Sequence, residues 1–256
     1  MIEKWSVAIP QLTGKRHQRR VYVYLPDAAL EEPERRYPVL YMFDGHNVFF
    51  DEDATYGKSW GLGRYLDETD AQLMVVAVEC SHAPHNGRLS EYSPFTFQDE
   101  RLGRIYGRGK VTMDWFVSTL KPQIDEHYPT LPERETTFIA GSSMGGLMSL
   151  YALAAYNHVF SRAAALSPSI WVASKSLEKL MLEAEMGPDT VLYMDYGSRE
   201  MANHPGIGPA YARLTQRLME RGVLVTSRIV PNGDHCEACW EEQLPFMINT
   251  LLYQRD

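Results

Sequence analysis

The sequence is poor in cysteine and in long apolar runs, and each shortage excludes a class of protein. The 256 residues include 3 cysteines, too few for the disulfide framework of a small secreted domain. The first ten residues hold no apolar stretch of signal-peptide length, and no later run is long enough to span a bilayer. We therefore expect a soluble, cytoplasmic protein.

Positive charge is also scarce. The chain has 25 Lys and Arg against 33 Asp and Glu, a formal net charge of −8 at pH 7. This balance disfavours nucleic acid or an anionic membrane as a partner. The glycine-rich stretch of the chain lacks both the lysine of a phosphate loop and the G-x-G-x-x-G pattern of a dinucleotide site, so no nucleotide cofactor is expected.

The apolar content, 45% of the residues, is enough for one large core. Neither internal repeats nor a Gly/Ser/Pro linker divides the chain, so residues 1–256 are predicted to form a single α/β domain. After two or three leading strands, strand and helix patterns alternate, which predicts a mostly parallel sheet of about eight strands with helices on both faces. Ligands of such sheets bind beyond the carboxyl ends of the strands. The predicted strands whose following loops should converge there end at Phe43, Glu79, Ala140, Leu166, Tyr196 and Val230.

Residues 137–156 contain the motif on which the functional prediction rests. A short apolar strand comes first, residues 141–145 then read Gly-Ser-Ser-Met-Gly, and an almost wholly apolar segment follows that predicts a buried helix. A tight strand-to-helix turn would lift the hydroxyl of Ser143 clear of its own backbone, as a nucleophile requires. The amide of Met144, at the start of the helix, could then stabilise an oxyanion. The alternative is a glycine-rich turn with ordinary serines.

A serine nucleophile needs a histidine base and an orienting carboxylate, in the chain order serine, acid, histidine for this architecture. Of the eight histidines, His235 has the late position that the base requires. Glu200 follows a predicted strand and is the favoured acid, with Asp195 next, while Glu237 could assist His235 from another side. The second oxyanion donor is expected from the loop after the first parallel strand, where the amide of His46 is the candidate.

The segment from residue 80 to residue 110 shows no firm periodicity. Long loops in compact domains are usually functional or mobile, so we predict an active-site loop here. Arg88 and Tyr92 in this segment, with Trp171 and Trp240 elsewhere, are the candidate substrate-binding residues. Aromatic side chains of the segment could equally pack it against the domain.

One stretch has the spacing of a metal site. His235, Cys236 and Cys239 form a zinc-like His-Cys-x-x-Cys pattern, which His204 or Asp195 might complete. Zinc sites commonly draw their four ligands from two such pairs, and the sequence has one, so no metal is predicted. A redox role of the cysteine pair is disfavoured because no thioredoxin-like unit surrounds it.

Five stretches together carry a family resemblance. They are Tyr-Met-Phe-Asp-Gly-His-Asn-Val-Phe at 41–49, Arg-Leu-Ser-Glu-Tyr-Ser-Pro at 88–94, the Gly-Ser-Ser-Met-Gly-Gly turn, Leu-Ser-Pro-Ser-Ile-Trp at 166–171, and the His-x-x-x-x-Trp pair at 235 and 240. From about Val21 onward the chain resembles the esterase-D and enterobactin-esterase group of α/β-hydrolases, which includes feruloyl, acetyl-xylan and siderophore esterases and mycolyl transferases.

The resemblance implies an α/β-hydrolase fold and no cofactor. It also implies that Ser143 is the nucleophile, His235 the base and Glu200 the acid, with the amides of His46 and Met144 as oxyanion donors. We therefore predict a serine carboxylic-ester hydrolase that forms an acyl-enzyme and acts on acetyl or feruloyl esters of carbohydrates.

Other functions remain open at this stage. A siderophore-type esterase or an acyltransferase of the same fold would use the same residues. A non-catalytic carbohydrate-binding relative is disfavoured because nucleophile, base and carboxylate are all present. The expected partner is a small-molecule or carbohydrate ester, and the oligomeric state is not predicted.

Overall fold

The computed structural model describes residues 1–13, 18–83, 87–203 and 206–253. The strands are β1 Ile2–Ala8, β2 Gln18–Tyr24, β3 Val39–Phe43, β4 Met74–Val78, β5 Phe97–Asp99, β6 Gly103–Ile105, β7 Thr137–Ser142, β8 Arg162–Leu166, β9 Val191–Gly197 and β10 Leu224–Val230. The α-helices are α1 Pro10–Thr13, α2 Ala28–Glu31, α3 Leu62–Glu68, α4 Gly87–Glu91, α5 Gly109–Trp115, α6 Lys121–His127, α7 Met144–Ala155, α8 Ser174–Glu183, α9 Ser198–Asn203, α10 Ile207–Glu220, α11 Glu237–Glu241 and α12 Leu244–Leu251. Short 3₁₀ turns lie at Gly45–Asn47, Arg134–Thr136 and Ile170–Val172, and a π-helical turn at Phe116–Leu120 joins α5 to α6. Within the described ranges, no helix is both long enough and apolar enough to cross a bilayer.

One eight-stranded sheet organises the molecule, in the order β1-β2-β4-β3-β7-β8-β9-β10. β2 runs antiparallel to both β1 and β4, whereas the neighbours from β4 to β10 are all parallel. β5 and β6 form a separate antiparallel pair. The predicted sheet, mostly parallel with about eight strands, is confirmed.

Both faces of the sheet are covered by helices. Every residue of β3 and β4 is buried, which explains why these strands read as continuous apolar runs. In β2, Val21 and Val23 pack into the core that includes α5, α6, α7, α8 and α10. Tyr22 and Tyr24 point the other way, into the core with α3 and α12, because successive side chains of a strand alternate between its faces.

Two predicted segments differ from the structure. The helix expected over residues 240–253 is divided into α11 and α12, with Pro245 in the first turn of α12. Proline cannot donate to the carbonyl four residues earlier, so it starts a new helix more readily than it continues one. Residues 80–110 are not a bare loop, since they contain α4, β5 and β6. Elements of three to five residues are too short to produce a readable periodicity.

Candidate active site

Ser143 occupies the sharp turn between β7 and α7. Its backbone angles are φ 57° and ψ −120°, a combination that a non-glycine residue adopts only under strain. Two glycines make the turn sterically accessible. A Cβ on Gly141 would lie 2.8 Å from the backbone of Gly145, and one on Gly145 would lie 3.0 Å from Cβ of Phe43. The motif therefore folds as predicted, with Ser143 at the carboxyl edge of the sheet.

Two cavities meet at this edge, and Ser143 and His235 line both of them. The smaller cavity, of about 330 Å³, includes Trp171 and Glu200 in its wall. The larger one, of about 510 Å³, has His46 in its wall. The lining residues follow the carboxyl ends of β3, β4, β7, β8, β9 and β10. The loops expected to converge thus do so.

The hydroxyl of Ser143 has a neighbour that the sequence did not indicate. Its Oγ lies 3.4 Å from Oγ of Ser169, which follows β8. Among the described residues, no hydrogen bond joins Ser143 to His235. The two side chains line the same two cavities. Catalytic hydrogen bonds are often long or poorly aligned when no substrate is bound, so this geometry is compatible with a catalytic pair.

His235 is held by a buried carboxylate. Its Nδ1 lies 2.6 Å from Oε2 of Glu200, and Oε1 of Glu200 accepts hydrogen bonds from Oγ of Ser167 at 2.7 Å and from N–H of Gly197 at 2.9 Å. Trp240 Nε1 donates to the same Ser167 hydroxyl at 3.1 Å. Burial alone would raise the pKa of Glu200, but the hydrogen bonds from His235, Ser167 and Gly197 lower it. The network therefore keeps a carboxylate behind the imidazole.

The other two carboxylates near His235 are engaged elsewhere. Asp195 accepts hydrogen bonds from the hydroxyl of Tyr193 at 2.8 Å and from the amide of Ser167 at 3.2 Å. Burial raises the pKa of Asp195 to about 7. Glu237 accepts from the Asn47 side chain at 3.3 Å, and burial raises its pKa as well. The geometry thus pairs His235 with Glu200.

The candidate oxyanion donors lie at the starts of two turns. Met144 is the first residue of α7, so its N–H has no acceptor within the helix. His46 belongs to the 3₁₀ turn after β3 and lines the larger cavity. A Cβ on Gly45 would lie 2.7 Å from the backbone of Ala77 in β4, and this close approach fixes the position of the turn.

Two predicted substrate-binding residues instead hold Asp44. Arg88 donates from Nε and Nη2 to the two carboxylate oxygens of Asp44, both at 2.7 Å, although it also lines the larger cavity. Tyr92 is 1% exposed, and its hydroxyl accepts the N–H of Asp44 at 3.2 Å. Tyr92 lines neither cavity. The prediction for Tyr92 is therefore corrected: its ring completes the core against Phe43.

The two tryptophans play different parts. Trp171 is 55% exposed and lines the smaller cavity. Trp240 is 5% exposed, and its ring lies 5.1 Å from the ring of His235 at an interplanar angle of 82°. It lines the larger cavity but chiefly supports the histidine.

Sequence reasoning missed three residues of the site. Ser167 and Ser169 lie in the Leu-Ser-Pro-Ser-Ile-Trp stretch, and the sequence pattern indicates no role for either hydroxyl. Tyr56, 82% exposed, lines the larger cavity, and no sequence signal marked it.

The metal alternative proposed from the sequence also differs from the structure. Among the described residues, the group of His, Cys, Asp or Glu side chains close enough to share an ion is His46, Cys80 and His82. Cys236 and Cys239 do not belong to it. His204, the proposed fourth ligand, lies outside the described residues.

Comparison with known proteins identifies the family and the fold. The chain is 24% identical over 188 residues to the uncharacterized protein YbbA of Bacillus subtilis, a match that covers 73% of this chain and 70% of YbbA. Its fold is similar to that of an IroE-like serine hydrolase from Shewanella oneidensis, with a TM-score of 0.76, 18% identity and coverage of 97% of this chain and 79% of the other.

Two further solved structures share the fold. One is a ferulic acid esterase, with a TM-score of 0.69, 17% identity and coverage of 98% and 97% of the two chains. The other is the enterobactin and salmochelin hydrolase IroE, with a TM-score of 0.68, 20% identity and coverage of 98% and 95%. The sequence model of the Esterase family matches residues 14–251. The chain therefore belongs to the Esterase family and is a carboxylic ester hydrolase with an α/β-hydrolase fold.

Proposed function

We propose that the protein hydrolyses carboxylic esters through an acyl-enzyme on Ser143, with acetyl or feruloyl esters of carbohydrates as substrates. The proposal rests on one observation. Ser143 lies in a strained turn and lines the same cavities as His235, which contacts the buried carboxylate of Glu200. Strain of this kind persists where the surrounding structure enforces it, most often at active sites.

The reaction requires Oγ of Ser143 to exchange its contact with Ser169 for one with Nε2 of His235. Nε2 accepts the hydroxyl proton as Oγ attacks the ester carbonyl carbon, and the amides of His46 and Met144 donate to the resulting oxyanion. Collapse of the intermediate breaks the bond to the alcohol oxygen, which takes the proton from His235. Water, deprotonated by the same nitrogen, then releases the acid and restores Ser143.

Exposed aromatic rings support the choice of substrate class. Trp171 stands at the smaller cavity and Tyr56 at the larger, and both rings are more than half exposed. Flat apolar faces with a polar tip suit feruloyl groups and the faces of sugar rings. The fold shared with a ferulic acid esterase agrees with this choice.

The siderophore esterases share the fold as well, so the alternative substrate needs its own test. Purified protein is to be offered acetyl, feruloyl and siderophore esters in parallel, and we expect the highest kcat/KM on the carbohydrate-linked acetyl or feruloyl esters. A higher value on the siderophore esters would overturn the substrate class. Product analysis with added sugar acceptor distinguishes hydrolysis from acyl transfer, and we expect free acid.

Replacement of the nucleophile tests the mechanism. Ser143→Ala should abolish hydrolysis of a chromogenic acetate ester and prevent covalent labelling by an organophosphorus reagent, because the activated hydroxyl at the turn is lost. Circular dichroism checks that the fold persists. The neighbouring serine provides the matched control: in Ser142→Ala, mass spectrometry should still find the label on residue 143. A kcat of Ser143→Ala within about tenfold of wild type would refute the proposal, because the oxyanion donors and substrate binding alone sustain only a small fraction of the rate.

A further inference from the structure

A second cluster of reactive side chains lies in the wall of the larger cavity, apart from Ser143 and Glu200. It consists of His46, which follows β3, with Cys80 and His82, which follow β4. One potential ligand atom of each residue lies within 4.8 Å of those of the other two. We propose that these three side chains bind a divalent transition-metal ion of the Zn²⁺ class.

The chemistry of the three side chains selects this class of ion. Imidazole and thiolate are the ligands that zinc prefers, whereas magnesium and calcium prefer oxygen. In a tetrahedral zinc site, neighbouring nitrogen and sulfur ligands lie roughly 3.4 to 3.6 Å apart. The ligand atoms of the cluster lie within 4.8 Å of one another, so the cluster needs to contract by at most roughly 1 Å to reach that geometry. His82, whose side chain is 58% exposed, can make that movement more readily than the buried side chains of His46 and Cys80.

Each histidine has one ring nitrogen engaged in a contact of the kind that metal-binding histidines make. Nε2 of His46 lies 3.0 Å from Oγ1 of Thr55, and Nε2 of His82 lies 3.1 Å from Oε1 of Glu79. Glu79 is fixed in turn by Arg20, whose Nη2 donates to the same oxygen at 3.1 Å. Metal-binding histidines typically engage one ring nitrogen in such a contact and coordinate with the other. The nitrogen left on each ring is Nδ1.

A buried ring nitrogen of His46 independently indicates a ligand at this cluster. The side chain of His46 is 4% exposed, and Nδ1 is buried with no hydrogen-bond partner among the described residues. An unsatisfied polar atom in such a place is costly unless a ligand or a water molecule engages it.

Coordination by Cys80 has a measurable consequence. The thiol is 3% exposed, and a thiol binds zinc only after it has given up its proton. A zinc ion displaces that proton and binds the thiolate, releasing one proton for each ion taken up. Affinity should therefore increase with pH, and calorimetric binding enthalpies should depend on the ionisation enthalpy of the buffer.

Because all three side chains line the cavity that also contains Ser143, a fourth ligand would come from that cavity. Three protein ligands and one exchangeable position are the arrangement of an open zinc site. A bound ion and its water would take up space that an ester needs. We expect added Zn²⁺ to raise KM for ester hydrolysis and a chelator to restore it, a consequence that rests on the proposed function of the cavity.

Cobalt titration of the full chain tests the site without reference to activity. The protein is reduced, freed of metal by a chelator and titrated with Co²⁺, which absorbs in the near ultraviolet when it is bound to a thiolate. We expect one Co²⁺ per chain, displaced by Zn²⁺. Cys80→Ser should remove the thiolate band, and His82→Ala should weaken affinity by at least about tenfold.

The cysteines of the sequence-derived alternative provide the matched control. A double variant, Cys236→Ser with Cys239→Ser, should keep the thiolate band. The proposed site would be refuted if the double variant lost the thiolate band while Cys80→Ser retained it. It would also be refuted if the wild-type chain bound no stoichiometric Co²⁺. If Cys80→Ser fails to fold, the Co²⁺ affinity of the His82→Ala variant tests the site instead, because the His82 side chain is exposed. If Co²⁺ binds stoichiometrically but ester hydrolysis is the same with and without the ion, the metal site is supported and ester binding in this cavity is contradicted.

Discussion

The carboxylate behind His235 offers the sharpest test of the proposed mechanism. Glu200→Gln preserves the size of the side chain and removes its charge. In the unsubstituted protein, the two carboxylate oxygens of Glu200 accept from three donors, on His235, Ser167 and Gly197. The amide of the variant retains only one acceptor oxygen. The variant therefore loses both the anion that stabilises the imidazolium and the acceptor that sets its tautomer.

The magnitude follows from the distance and the burial. Nδ1 of His235 lies 2.6 Å from Oε2 of Glu200; the carboxylate side chain is 7% exposed and the imidazole 46%, so solvent screens part of their attraction. With the charge centres about 4 Å apart and an effective dielectric constant of about 20, the attraction lost is about 4 kcal/mol. Because the imidazolium forms only as the reaction proceeds, this energy is lost from the transition state. At about 1.36 kcal/mol for each factor of ten, kcat should fall by about 10³.

Steady-state hydrolysis of a chromogenic acetate ester measures the effect, with Asp195→Asn as the matched control. Asp195 is also buried, but it contacts Tyr193 and Ser167 rather than the histidine. We expect Glu200→Gln to lower kcat with little change in KM, and Asp195→Asn to change kcat by less than about tenfold. A kcat of Glu200→Gln within about tenfold of wild type would refute the assignment of the acid, as would an equal loss in both variants.

Two further predictions concern stability. Burial raises the pKa of Asp195 from 3.8 to about 7. Between these two pH values, the folded state holds a proton that the unfolded state has lost. The free energy of unfolding should therefore fall as the pH rises through that window. Asp195→Asn should remove this slope from urea unfolding measured across the same window, and an unchanged slope would contradict the prediction. Arg88→Ala leaves the buried carboxylate of Asp44 without its cation, so the free energy of unfolding should fall by about 3–5 kcal/mol. A loss below about 1 kcal/mol would show that the pair is not structural.

Much of the fold could be predicted from local patterns. The apolar runs of β3 and β4 indicate strands buried on both faces, and the apolar stretch after Ser143 indicates α7, in which ten residues are buried. The glycines around Ser143 indicate the turn because only they permit its close backbone contacts. These features depend on residues that are neighbours in the chain.

The position of the candidate site was also predictable, since parallel strands end at one edge of their sheet. The chain order of serine, acid and histidine led to Ser143, Glu200 and His235, and the structure brings all three to the same cavity. Their catalytic roles remain a proposal. The contact between Ser143 and Ser169 had no counterpart in the sequence argument.

The sequence by itself determined the alternation of strands and helices, the strained turn and the edge of the sheet at which ligands bind, because strand and helix periods and glycine sterics act locally. Only the tertiary structure decided which side chains meet. It brought Trp240 to Ser167 across 73 positions and Arg88 to Asp44 across 44, and it placed Tyr92 in the core rather than in a binding site. Such contacts depend on how loops pack over the sheet, and no local pattern specifies that packing.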